Sequence, residues 1–345
     1  MNIKIYFSIL FFSSVLISCE RNVEFKGEVT NPLIVVNSFV TPDSTVTAYI
    51  SMSRFFLKDS IAYRNANNAD VNLWINGVFK EKLNFDSIGI YKGFYKPTIS
   101  DQVKLTVDVP QMKQVNAATG FTETPVILSV DTQRVFISSH NLISGPESDL
   151  VVGISRNFKI NYKLKFNDNV NLQNYYRLLV GCVNYTGIWN YNTNKMDTVI
   201  DEGRPQYSNF NFTDVLSGNT KDPLADTGTS IVGELMSNTT NVYNVFSDEV
   251  FNGKTYSLKF STNHKIDNYF SIESLKYRAG EILRVEVFIC LQSLSKDYYL
   301  YLKTRAASSA SNFFSEPVKV HNNVNGGIGI LGSYTTSNIV KFDLP

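Results

Sequence analysis

Histidine and cysteine are scarce in this chain, with three of each, and tryptophan occurs twice. His140, His264 and His321 are scattered. None has a cysteine, histidine or carboxylate neighbour at metal-ligand spacing, which argues against a metal site. There is no Gly-x-Ser-x-Gly elbow, no phosphate-binding loop and no dinucleotide glycine pattern. Ser293 and Lys296 satisfy Ser-x-x-Lys, an acylating pair, but the companion motifs are missing and a serine beside a helix start accounts for it. Neither catalysis nor a cofactor is expected. Charge bias is lacking too: 32 Lys and Arg against 31 Asp and Glu leave a formal net charge of +1, so no nucleic-acid partner is implied. After the first segment no apolar run is long enough to span a bilayer as a helix.

Aromatic residues are abundant, with 24 Phe and 19 Tyr. Together with frequent Asn and Ser and few Ala and Glu, they favour strands and polar turns over helices. At the start, Lys4 precedes an apolar stretch from Ile5 to Leu16, followed by Leu16-Ile17-Ser18-Cys19. That order reads as residues 1–19, a bacterial lipoprotein signal peptide ending at Cys19, the residue expected to be lipidated. Two or three acyl chains hold a protein firmly at a bilayer surface, at about 0.8 kcal/mol per buried methylene. Residues 20–31 form a polar tether.

The fold class expected is mainly β: two β-sandwich domains of immunoglobulin or fibronectin type, over 32–122 and 126–345. The first carries short strands from Leu33 to Val109, with Asn76-Gly77 as a hairpin turn. Trp74 lies on the face opposite Leu73 and Ile75. Thr122 to Pro125 reads as a linker. In the second half, Phe158, Ile160, Tyr162, Leu164 and Phe166 alternate with polar residues, predicting a strand with one buried and one wet face. Tyr175 to Val183 and Leu283 to Leu291 are apolar on both faces and predict central strands. Cys182 and Cys290 sit inside them, where cysteine packs as a small hydrophobe, so free thiols are expected although an exported compartment permits a disulfide. A polar insertion over 184–249 separates those strands. Ser295 to Ser309 predicts the one helix of the C-terminal half, with Ser295 as its cap. Beyond it an apolar run threads between Gly326, Gly327, Gly329 and Gly332. Glycine at that density permits close backbone approach, and a late strand or buried arch closing the fold is expected.

The candidate contact residues are Tyr185, Trp189 and Tyr191. Aromatics interleaved with Asn and Thr suit stacking on an oligosaccharide or peptide ligand; a hairpin whose aromatics pack across strands accounts for them more simply.

Several short motifs carry a family resemblance: Cys19-Glu20; Leu33 to Asn37 with Thr41-Pro42-Asp43; Asp248 to Tyr256; Leu294 to Lys303; Glu316-Pro317-Val318; and Asn325 to Ile330. In their order and spacing the chain resembles a Bacteroidetes lipoprotein family built on a domain of unknown function. Its members are typically encoded beside TonB-dependent outer-membrane receptors. The resemblance implies an outer-membrane, cell-surface lipoprotein held to the membrane only by its lipid anchor. It would serve a receptor barrel in nutrient uptake as a non-catalytic accessory, by capturing ligand or covering the barrel. A structural or adhesive surface lipoprotein is the alternative. Exported proteins of that phylum carry O-glycans at Asp-Ser/Thr-aliphatic or Asp-Ser/Thr-Thr, which makes Ser44, Ser60, Ser87 and Thr198 candidate acceptors at expected turns or loops.

Overall fold

The computed structural model describes residues 31–54, 65–144, 151–168, 172–190, 195–200, 206–207, 210–212, 242–249, 251–271, 281–310 and 318–344. The protein is mainly β. Its first strands are β1 (Ile34–Val40), β2 (Thr47–Met52), β3 (Asp70–Ile75), β4 (Val78–Lys82), β5 (Asn84–Ser87), β6 (Ile90–Lys92), β7 (Gln102–Asp108) and β8 (Val115–Gly120). Long strands follow: β9 (Val126–Ser144), β10 (Val151–Asn167) and β11 (Tyr175–Asn190). Shorter ones come next: β12 (Lys195–Ile200), β13 (Gln206–Tyr207), β14 (Phe210–Phe212) and β15 (Val245–Ser247). The chain ends with β16 (Thr255–Ser271), β17 (Glu281–Leu294), helix α1 (Lys296–Ala310), β18 (Ile328–Thr336) and β19 (Val340–Leu344).

The first core lies between two sheets, as in a β-sandwich. One runs β5-β6-β2-β1-β18 and the other β4-β3-β7-β8. Ile34, Val36, Ala48 and Ile50 from the first face Val71, Leu73, Leu105 and Val107 from the second. Asn76 and Gly77 both take positive φ (52° and 81°), the conformation a two-residue hairpin between β3 and β4 requires. Trp74, opposite Leu73, is half-buried; its indole N–H donates to Thr106 Oγ1 at 3.1 Å and its ring meets Phe79 edge-on.

The second core lies between β9-β10-β16 and β11-β17-β19. Tyr162, Leu164, Phe166, Leu258 and Phe260 from one layer meet Tyr176, Leu178, Val180, Val287 and Ile289 from the other. The layers join where Asn268 pairs with Glu281. Along β10 the alternation is explicit: Phe158, Ile160, Tyr162, Leu164 and Phe166 are buried while Lys163 and Lys165 are exposed. Strands β11 and β17 pair with each other and each takes further partners, so both are interior to the sheet. Cys182 pairs with Val287 and Cys290 with Leu179, three positions out of step, and the two form no disulfide. Cys182 packs with the core, whereas Cys290, on the alternate face, lies away from it. Burial pushes the Cys290 thiol up.

Strand β18 joins the two halves. It runs parallel to β1 from Val35↔Ile328 to Val40↔Ser333, and antiparallel to β17 from Gln292↔Thr336 to Leu294↔Tyr334. Leu331 sits fully buried in the first core. Gly329, at φ +117°, faces Val36 closely enough that a β-carbon would overlap its carbonyl. Where β17 stops short, the other edge of β18 is completed by loop and helix groups. Ser295 N–H donates to the Ser333 carbonyl at 2.9 Å and Ser333 N–H to Ser295 Oγ at 3.1 Å. The Asn323 amide donates to the Leu331 carbonyl and accepts from its N–H, both at 2.9 Å, standing in for a strand backbone. The Ser295 hydroxyl therefore serves β18 rather than capping α1 as expected. The Ser295 carbonyl accepts the first helical bond, from Tyr299 at 3.0 Å. The linker stretch is tied down as well: Thr122 Oγ1 accepts from Ser293 Oγ at 2.8 Å, and the Glu123 carbonyl accepts from Thr335 Oγ1 at 3.2 Å.

Candidate functional site

Strand β9 carries an exposed stretch in the second half. It spans 19 residues and, among the described residues, pairs with β10 as its one strand partner, with the Asn338 side chain bonding the backbone of Ile127. From Leu128 through Asn141 its side chains are exposed or at most half-buried on both faces. Val135, Phe136 and Ile137 form an apolar run there, with Phe136 57% exposed. A register shift against Asn157 and Phe158 falls at Ile137, an extra residue that bends the edge. Phe136 meets Phe158 edge-on with ring centroids 5.7 Å apart, and the Arg134 guanidinium stacks 3.8 Å over the Phe158 ring. Long apolar edges are usually blunted by proline, lysine or a covering element. This one carries Asp131 and Arg134 as its only charges. Sequence reading passed over Phe136; three consecutive apolar residues in a segment otherwise rich in Ser, Thr and Asn were the available signal.

The candidate contact residues lie on a different strand. Tyr185 and Trp189 belong to β11, whose last residues pair with β12 from Tyr185↔Ile200 to Asn190↔Lys195. The start of the expected insertion is thus a strand hairpin rather than a loop, and the β13 and β14 segments also pair, onto β11 and β16. A composition rich in Asn and Thr had suggested loop, but the ladder satisfies that backbone directly. Tyr191 lies outside the described residues, as do Cys19 and Ser60. Ser44 is exposed in the turn after β1. Ser87 is exposed at the end of β5 and Thr198 lies within β12, so these two are in strands rather than at the loops expected.

Buried polar groups cluster at two further places. Along the second core Tyr162 Oη and Thr262 Oγ1 are 2.9 Å apart, and Thr262 Oγ1 lies 2.6 Å from His264 Nε2. Burial pushes the Tyr162 phenol up to about 12, partly offset by Thr262, and lowers the His264 pKa. At the other end of that core, Asp168 and Asp248 are buried beside Asn174. Elsewhere, His321 Nε2 lies 2.8 Å from Asp297 Oδ1 at the start of α1, anchoring the segment that leads into β18. Among the described residues no cluster of three or more His, Cys, Asp or Glu is placed to hold a metal ion. Nor is any described helix long and apolar enough to cross a membrane.

A sandwich-type β protein with an exposed edge defines the class. The chain belongs to the family described as domain of unknown function DUF4249, whose model matches residues 20–339. No curated protein matches it.

Proposed function

We propose that this protein is an outer-membrane lipoprotein, anchored through Cys19, that serves a TonB-dependent receptor barrel as a non-catalytic accessory. The observation that carries the partner role is the β9 edge: its outward backbone groups and the Val135-Phe136-Ile137 run suit addition of a strand or loop from another protein. The lipobox spacing at Cys19 supports the anchor, and the family resemblance supports the receptor.

The test is copurification. Detergent extraction of the native protein should bring a receptor barrel with it, and Phe136→Asp should reduce recovery of the barrel severalfold without shifting the melting transition. Cys19→Ser should release the protein from membranes or leave an unprocessed precursor. Recovery without any barrel would favour the adhesive role instead, and unchanged membrane partition of the Cys19 variant would remove the anchor.

A further inference from the structure

The wet face of the β9-β10-β16 sheet carries charge of one sign. Because Phe158, Ile160, Tyr162, Leu164 and Phe166 are buried, the residues that alternate with them between Asn157 and Asn167 point away from the second core. Their direct partners on β9 and β16 share that face. It presents Lys159, Lys163 and Lys165 from β10 and Lys259 and Lys265 from β16. Lys159 is half-buried and the other four are exposed. Polar side chains such as Gln133, Asn161 and Asn263 lie between them. Asp131, opposite Lys163 on β9, is the one acidic residue in these rows. The whole chain holds 32 Lys and Arg against 31 Asp and Glu. A lysine cluster on one sheet face is therefore segregation, not overall bias.

That charge is not used within the fold. Lys163 and Lys259 are direct cross-strand partners, and like charges so placed oppose the pairing. Among the described residues, Lys159, Lys163, Lys165 and Lys259 take part in no ion pair. Exposed lysines of the first sandwich behave differently: Lys82 pairs with Asp70 and Lys92 with Asp86. The rows from Asn157 to Asn167 also hold no outward aromatic ring, which a surface stacking on bases or sugars would need. Flexible amines spread over a flat sheet instead match a plane of phosphates.

We propose that this lysine face rests on the anionic headgroups of a lipid surface. The placement builds on the Cys19 anchor proposed for this chain. Residues 20–31, even fully extended, reach about 40 Å, so the anchored protein stays beside a headgroup layer. There a basic cluster is drawn to acidic lipid within a Debye length of the surface. Sequence periodicity showed the lysines of β10 as one wet face but not their partners, because Lys259 and Lys265 come from a strand about a hundred residues away. Laid flat on the membrane, the sheet would aim its β9 edge along the membrane plane, at right angles to the face. That is the direction in which a neighbouring barrel stands.

The experiment uses the native chain added to vesicles of phosphatidylcholine alone, or of equal parts phosphatidylcholine and phosphatidylglycerol. Surface amines are then acetylated and the modified lysines read by mass spectrometry. Lys163, Lys165 and Lys259 should be labelled severalfold less on the anionic vesicles, while the exposed Lys104 of the first sandwich stays unchanged as the control. The protection should vanish in about 1 M salt, where the Debye length falls to about 3 Å. Joint replacement by Lys163→Gln, Lys165→Gln and Lys259→Gln, all at exposed positions, should remove the protection of Lys159 as well. Equal labelling on the two kinds of vesicle would overturn the proposal. So would equal protection by inorganic phosphate without vesicles, which would mark a site for a free anion. Failure of the anchor reads separately, as absence of the chain from the neutral vesicles. Labelling with the anionic ones still decides the face in that case.

Discussion

Gly329 and Val36 meet backbone to backbone. In the parallel β1–β18 register they are direct partners, and a β-carbon on Gly329 would overlap the Val36 carbonyl oxygen and come within 2.8 Å of its carbonyl carbon. Because φ is +117° there, an L side chain is strained even without the overlap. Gly329→Ala should therefore cost about 3 kcal/mol or more, measured by denaturant unfolding. Gly77→Ala is the control: φ is +81° but a β-carbon meets nothing within 4 Å, so the loss should be only about 1 kcal/mol. Equal losses at the two positions would show that β18 is not seated against β1 in this way.

Asn323 offers a second test. Its side chain serves both the N–H and the carbonyl of Leu331. Asn323→Ala leaves those two groups unpaired beside the core, at about 2–3 kcal/mol. Asn323→Asp keeps the acceptor but loses the donor, so its unfolding free energy should fall between the two. A wild-type midpoint for Asn323→Ala would mean that β18 satisfies its edge some other way.

Acid should weaken the fold through His264. Its ring is buried and its pKa lowered by that burial. The unfolded chain takes up a proton below about pH 6.5 that the folded chain refuses. Stability from this group is thus complete above pH 6.5 and declines as pH falls, by at most about 1.4 kcal/mol per unit, until the folded pKa is passed. His264→Gln keeps a partner for Thr262 and removes the decline. Unfolding free energies at pH 7.5 and 5.5 should differ less for the variant than for the native chain.

Trp189→Ala tests the hairpin. If the tryptophan contacts receptor or ligand, its loss should weaken association by about 2 kcal/mol or more and leave the melting temperature nearly unchanged. Normal binding with an earlier melt would place the indole in cross-strand packing instead.

Local signals were legible wherever one residue pattern determined one local geometry. Alternation from Phe158 to Phe166, the Asn76-Gly77 turn and the helix after Ser295 each need only neighbours in sequence. Pairings between distant segments left no such trace. Nothing near Ile34 announces that its strand takes a parallel partner beginning at Ile328, because the first half's own alternation is already complete. The start of the 184–249 insertion looked like loop because Asn, Asp and Gly are depleted in strands, yet β12 is held by the ladder of β11. Phe136 drew no expectation from the sequence; only the sheet order shows that, among the described residues, its strand has a single strand neighbour. The Asp168–Asp248 pair was hidden for the same reason, since Asn174 N–H and the Asp248 carboxylate that bond each other are 74 positions apart.

The parallel pairing of β1 with β18 also sets a schedule. Synthesis delivers β1 at the beginning of the chain and its partner near the end. At about 5–20 residues per second the interval is on the order of tens of seconds. Through that time the first sandwich lacks Leu331 from its interior and β1 shows a bare edge, an invitation to mispairing with any neighbouring chain. Until β18 arrives, the first sandwich is incomplete. Loss of residues 328–336 would leave every copy in that vulnerable state.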